Sequence, residues 1–246
     1  MNQANSTPEP KPWWGNFSLK SETGGRWEVG PLTLWLYRTD REWRVFSRLP
    51  ADPDVATDPM INRSEVEVPL EASKLADLLA LGDSSIKVTR HTFAMTKPEV
   101  ELQPALADRP VVFRPEQTMH IPAGESVTLY LSTSLWIRVV LPELDHIIQE
   151  LQTYRLSDTW FGTTTTKGEL CYASRTSGRL ELSDVPRRLH RAVTPLQIEN
   201  SGGDALVLER VQLPVRHLSV FETPQQTLWT EAVQMIRKSG SDGAEI

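Results

Sequence analysis

The chain has 246 residues, of which 39% are hydrophobic and 24% charged, with 18 prolines and a net charge of −6. That is the composition of one large or two ordinary globular domains and excludes a fibrous or wholly disordered chain. A net acidic surface repels a nucleic-acid backbone, so no nucleic-acid partner is expected. No window approaches the roughly 18 apolar residues of a membrane span.

Residues 1–12 (MNQANSTPEPKP) are polar and proline-containing, with no apolar run, and are read as a disordered tail without a signal peptide. The lone cysteine, Cys171, excludes an intramolecular disulfide, and the two observations together predict a cytoplasmic location. Trp27 to Tyr37 reads as a strand stretch, with Leu32, Leu34 and Leu36 on one face and Thr33, Trp35 and Tyr37 on the other. Arg38 to Glu42 forms a polar turn before Trp43 to Leu49, which completes a hairpin. Five of the eight tryptophans, at 13, 14, 27, 35 and 43, fall in this region. Packing between two sheets is the expected use of these rings; a sugar-stacking platform is the alternative.

Ser64 to Val68 is a strand and Ala72 to Leu81, with Leu75, Leu78 and Leu79, a short helix. Ser85 to Phe93, Glu99 to Leu102, Arg109 to Phe113 and Ser126 to Leu141 are further strands, the last introduced by the turn IPAGE at 121–125. Leu144, Ile147, Ile148 and Leu151 stand at i, i+3, i+4 and i+7, which predicts a helix over Glu143 to Thr153. Strands follow at Glu169 to Arg175, Arg191 to Glu199, Ala205 to Leu213 and Val215 to Glu222. In the third of these the parity of Leu206 and Leu208 is opposite to that of Val211 and Leu213, which predicts a bulge near Glu209 and Arg210. Many short strands with at most two short helices give an all-β, mainly antiparallel fold of β-sandwich type. Two halves are expected, an N-terminal β domain at 13–115 and a C-terminal β-sandwich domain at 116–238, followed by a second tail at 239–246.

No nucleophile elbow, zinc-binding helix motif, cysteine pair or dinucleotide fingerprint is present, so no catalytic residue, metal site or cofactor is assigned. GTTTTKG at 162–168 lacks the second glycine before the lysine and the hydroxyl residue after it that a phosphate loop requires, and reads as a threonine-rich loop. Asp145, His146 and Glu150 are read as a solvated polar face, and Cys171 as a buried inert thiol. Two candidate sites remain. Asp158, Trp160, Lys167, Glu169 and Arg175 concentrate polar and aromatic chemistry in one glycine-punctuated stretch suited to ligand binding or hydrolysis. Between Arg175 and Arg191 five arginines face only Glu181 and Asp184, and Arg187, Arg188 and Arg191 are candidates for gripping a phosphate or an acidic partner.

Trp14-Gly15, VGPLTLWLY at 29–37, Glu42-Trp-Arg44, ALADRPVV at 105–112, IPAGESVTLYL at 121–131, LSDTWFG at 156–162, GELCYASRT at 168–176 and LPVRHLSVF at 213–221 together resemble the family called domain of unknown function 432. The resemblance spans nearly the whole folded region and implies a prokaryotic protein. Family genes lie beside those of small mechanosensitive channels, so it also implies an accessory role toward such a channel. It carries over no functional residue. The expected function is a non-enzymatic module that binds another protein, at the cytoplasmic face of a membrane channel, with a ligand-binding or hydrolytic site at 158–175 as the alternative.

Overall fold

A computed structural model describes residues 12–50, 63–71, 73–75 and 83–238. The terminal stretches 1–11 and 239–246 lie outside the described residues, as does most of the helix expected at Ala72 to Leu81, of which 73–75 are helical.

Twenty strands run through the described residues. They are β1 (Gly15–Ser18), β2 (Thr23–Val29), β3 (Leu32–Arg38), β4 (Glu42–Arg48), β5 (Ser64–Glu71), β6 (Ile86–Thr92), β7 (Glu99–Ala105), β8 (Val111–Pro115), β9 (Met119–Ile121) and β10 (Ser126–Ser134). After them come β11 (Trp136–Leu141), β12 (His146–Gln152), β13 (Ser157–Gly162), β14 (Gly168–Thr176), β15 (Arg191–Asn200), β16 (Leu206–Leu208), β17 (Val211–Leu213), β18 (Val220–Glu222), β19 (Leu228–Thr230) and β20 (Val233–Arg237). The fold is all-β and most strand pairs are antiparallel; β14 with β8 and β15 with β19 and β20 are parallel.

The chain forms two compact units, one of residues up to 103 plus 137–153, the other of 104–136 plus 154 onward. This connectivity differs from the single boundary expected at 115/116. The segment 137–153 joins the first unit because β11 and β12 extend a sheet in the order β1, β7, β11, β12, a pairing between strands remote in sequence.

Within the first unit a second sheet has the order β5, β2, β3, β4, β6. The stretch expected as one strand at Trp27 to Tyr37 is two, because Gly30 takes φ 56° and turns β2 back onto β3. Trp13, Trp27 and Trp43 are fully buried and Trp35 nearly so, so packing, not a sugar platform, is the use of these four rings. Trp27 meets Phe17 edge-on at 5.1 Å, and Trp35 packs with Phe46, Leu70 and Leu75 on the opposite face of β3.

The helix expected at Glu143 to Thr153 is absent. Pro142–Leu144 makes one 3-10 turn, Asp145 takes a left-handed φ of 46°, and the chain returns as β12. The i, i+3, i+4, i+7 spacing is coincidental, since Leu144 and Ile147 are exposed and only Ile148 is buried. The polar face expected of Asp145, His146 and Glu150 is thus not helical, and Glu150 is engaged by Arg138, whose Nε donates at 2.6 Å.

In the second unit two sheets share one core. The order β10, β15, β19, β18, with β20 also on β15, brings Leu129, Leu131, Leu196, Ile198, Val233 and Met235 inward. They meet Val111, Phe113, Tyr172, Val211 and Leu213 of the sheet β13, β14, β8, β17. The bulge expected near Glu209 and Arg210 is instead a change of sheet: Leu208 pairs with Met119 of β9, and Val211 pairs with Phe113 of β8. Leu208, Val211 and Leu213 are buried and Leu206 partly so without a two-against-one register, which resolves the parity conflict.

Asn200 closes β15. Fully buried, it directs Nδ2 at the carbonyls of Ile121, Pro122 and Asp204 at 2.9–3.0 Å and accepts the Gly202 N–H on Oδ1. Asn200→Ala strands several of these groups and should lower stability by about 2–3 kcal/mol, read by urea unfolding.

Candidate functional site

The stretch Leu156 to Thr176 is the antiparallel hairpin β13–β14. Its register pairs Asp158 with Tyr172, Trp160 with Leu170, Phe161 with Glu169 and Gly162 with Gly168. Directly paired residues share a face and neighbours alternate. Asp158 and Trp160 therefore lie on one face, while Glu169, Cys171 and Arg175 lie on the other. Lys167 sits in the connecting turn, where Thr164 Oγ1 accepts its backbone N–H at 3.0 Å.

Three of the five polar heads are engaged by separate partners. Asp158 faces Arg109 at 3.4 Å, Trp160 Nε1 donates to the Thr164 carbonyl at 2.9 Å, and Glu169 accepts from Gln212 Nε2 at 2.5 Å. The five sequence candidates thus do not converge. A Cβ on Gly162 would strike the Lys167 carbonyl, and one on Gly168 the Phe161 carbonyl, so these glycines serve the close approach of the two strands. Cys171 is fully buried, burial pushes its thiol pKa up, and Gln212 Nε2 approaches its Sγ at 3.4 Å.

The three arginines of the second candidate do converge. Ser132 of β10, Val193 of β15 and Trp229 of β19 stand in one transverse row of the sheet, on the face opposite Leu131, Thr194 and Thr230. This row is the floor of a cavity of about 290 Å³. The segment 182–188 forms one wall and the 223–227 turn another. Arg187 Nη2 ties the walls by donating to the Gln225 carbonyl at 2.9 Å. Thr223 and Thr227 join hydroxyl to hydroxyl at 2.6 Å and fix the turn.

The Arg191 N–H donates to the Arg188 carbonyl at 3.1 Å, so both guanidiniums spring from one tight turn. Arg191 is further held by Nη1 donating to the Ser132 carbonyl at 3.1 Å and by stacking over Tyr154, 5.4 Å from the ring centre. The Nε atoms of Arg188 and Arg191 are shielded from solvent and have no hydrogen-bond acceptor. No carboxylate of the described residues is within 4.0 Å of Arg187, Arg188 or Arg191. Burial first, and the Arg188 charge second, pull the Arg191 pKa down to about 10, which leaves it protonated at neutral pH.

Partly buried like charges without a counterion are costly, and an anion that accepts from both would remove that cost. Among the described residues the cavity lining holds no carboxylate, histidine or cysteine. Such a site can hold and orient an anion but offers no general base.

Comparison with known families matches residues 13–246 to the family described as "Protein of unknown function (DUF432)". The chain belongs to the DUF432 family. Comparison of this DUF432 chain with curated proteins and with solved structures finds no match. No helix among its described residues is long and apolar enough to cross a membrane.

The sequence singled out Arg187, Arg188 and Arg191 from local charge density. It missed Ser132, Trp229 and the 223–227 turn, which reach the site through strand pairing and carry no local signature.

Proposed function

We propose that this protein is a non-enzymatic, cytoplasmic binding module whose second unit captures a small anion in the arginine cavity. One observation carries the reading: Arg187, Arg188 and Arg191 line a single cavity without a carboxylate partner among the described residues, two of them with solvent-shielded Nε–H donors that no described group accepts. Guanidinium groups match the oxygens of phosphate-like anions with paired donors, and their charge does not depend on pH in the physiological range. The absence of an acid or base in the lining favours capture over turnover. An anion-loaded surface of this kind suits an accessory module that reports ligand occupancy to a protein partner.

Calorimetric titration with inorganic phosphate at low salt should show saturable binding at one site per chain. Arg188→Gln should weaken it by about tenfold, the loss of one charge-assisted hydrogen bond, while Arg210→Gln, in the link between β16 and β17 with its guanidinium over the Phe161 ring, leaves it unchanged. Phosphate heats that do not saturate, or equal affinity in the Arg188 variant, would contradict the reading.

A further inference from the structure

We infer that the anion captured by the arginines is carried on a flat ring, that is, a phosphate monoester of a single aromatic or heterocyclic ring system about the size of a mononucleotide. This inference rests on the anion-binding reading and goes beyond it by naming the rest of the ligand.

The cavity is divided by chemistry. Its cationic part is Arg187, Arg188 and Arg191; its apolar part is Trp229 on the floor with Leu182, Val185 and Pro186 on the wall. Trp229 Nε1 donates to Thr227 Oγ1 at 3.3 Å, so the polar edge of the indole is already engaged. Tyr130 braces the ring edge-on, with centroids 6.3 Å apart and planes at 77°. A ring held in this way offers surface for stacking, which is tolerant of ring identity. Leu182 is 43% exposed, an apolar side chain at the rim of the cavity that a bound ring would cover.

The charge argues for phosphate over carboxylate. Several guanidiniums without a counterion among the described residues are matched by a group that carries nearly two negative charges and three acceptor oxygens, not by a single carboxylate. A volume of about 290 Å³ lies at the small end of small-molecule pockets, which suits one ring system with its phosphate and not a dinucleotide.

The test compares inorganic phosphate, ribose 5-phosphate, adenosine 5′-monophosphate and 1-naphthyl phosphate on the unaltered chain, so it does not depend on a variant folding. The two ring-bearing esters are expected to bind at least tenfold tighter than the two without a ring. Trp229→Leu should abolish that difference. Equal affinities across the four probes, or an undiminished preference in the Trp229 variant, would overturn the ring assignment and leave the anion site standing. Failure of all four to bind would overturn both.

Discussion

Acidification from about pH 6.5 to about 4.5 should cost the second unit about 2 kcal/mol of stability through His190 alone. This imidazole is 1% exposed, and its pKa is pulled down to about 3, first by burial and then by the charges of Arg191 and Arg188. The unfolded chain takes up the proton near pH 6.5, whereas the folded chain resists it until about pH 3. Stability from this group is therefore complete above about pH 6.5 and falls progressively toward pH 3, by roughly 5 kcal/mol in all. Glu42, Glu65 and Asp83, whose pKa values are lowered by hydrogen bonds from Arg90, Arg63 and Ser85, give up their stabilisation only as the pH falls into and through the usual carboxylate range, about 4. Burial also lowers the His91 pKa, so that group adds a slope of the same sign, and urea unfolding at pH steps between about 6.5 and about 4.5 is compared between the unaltered chain and His190→Gln. The slope should be clearly reduced in His190→Gln, and an equal slope in that variant would refute the assignment.

Trp27→Ala should destabilise the first unit by about 3–5 kcal/mol, the cost of emptying a fully buried indole site. The tryptophan is also tied to a glycine two residues away. A Cβ added to Gly25 would strike the Trp27 ring and come within 2.9 Å of Val68 Cγ2. Gly25→Ala alone should therefore cost about 1–3 kcal/mol through overpacking. In the Trp27→Ala background most of that cost should vanish, because the ring that blocks the methyl is gone. Additive losses in the double-mutant cycle would show that backbone conformation, not the ring, requires this glycine.

Local alternation revealed most strands, because one buried and one less buried face leave a period of two in the residues themselves. The all-β class and the aromatic packing were legible for that reason. The segment 143–153 misled because four apolar residues fell at helical spacing while Asp145, a turn residue able to take positive φ, gave the competing signal. The pairing of β11 and β12 with β7 and β1 is non-local and leaves no trace in either segment. At Glu209 and Arg210 the parity break was visible, but whether it meant a bulge or a change of sheet depends on the partners β9 and β8, more than 85 residues earlier.

The two candidate sites differ for the same reason. Crowding in the chain brought Asp158, Trp160, Lys167, Glu169 and Arg175 close in sequence, and the strand period then divided them between two faces and a turn. Arg187 and Arg188 lie in an irregular segment free of that constraint and Arg191 opens β15, so all three line the cavity over the row that the sheet assembles from Ser132, Val193 and Trp229.

The central claim is that this arginine cavity holds an anion, and its most direct test is the nitrogen-15 and proton resonances of arginine Nε–H groups, followed during titration with inorganic phosphate. The account predicts that two of these resonances, assigned by Arg188→Gln and Arg191→Gln, shift together along one saturable curve as their Nε–H groups gain an acceptor, while those of Arg44 and Arg138, already donating to Glu42 and Glu150, stay in place. Resonances of Arg188 and Arg191 that remain fixed up to saturating phosphate, or shifts of equal size at every arginine, would contradict it.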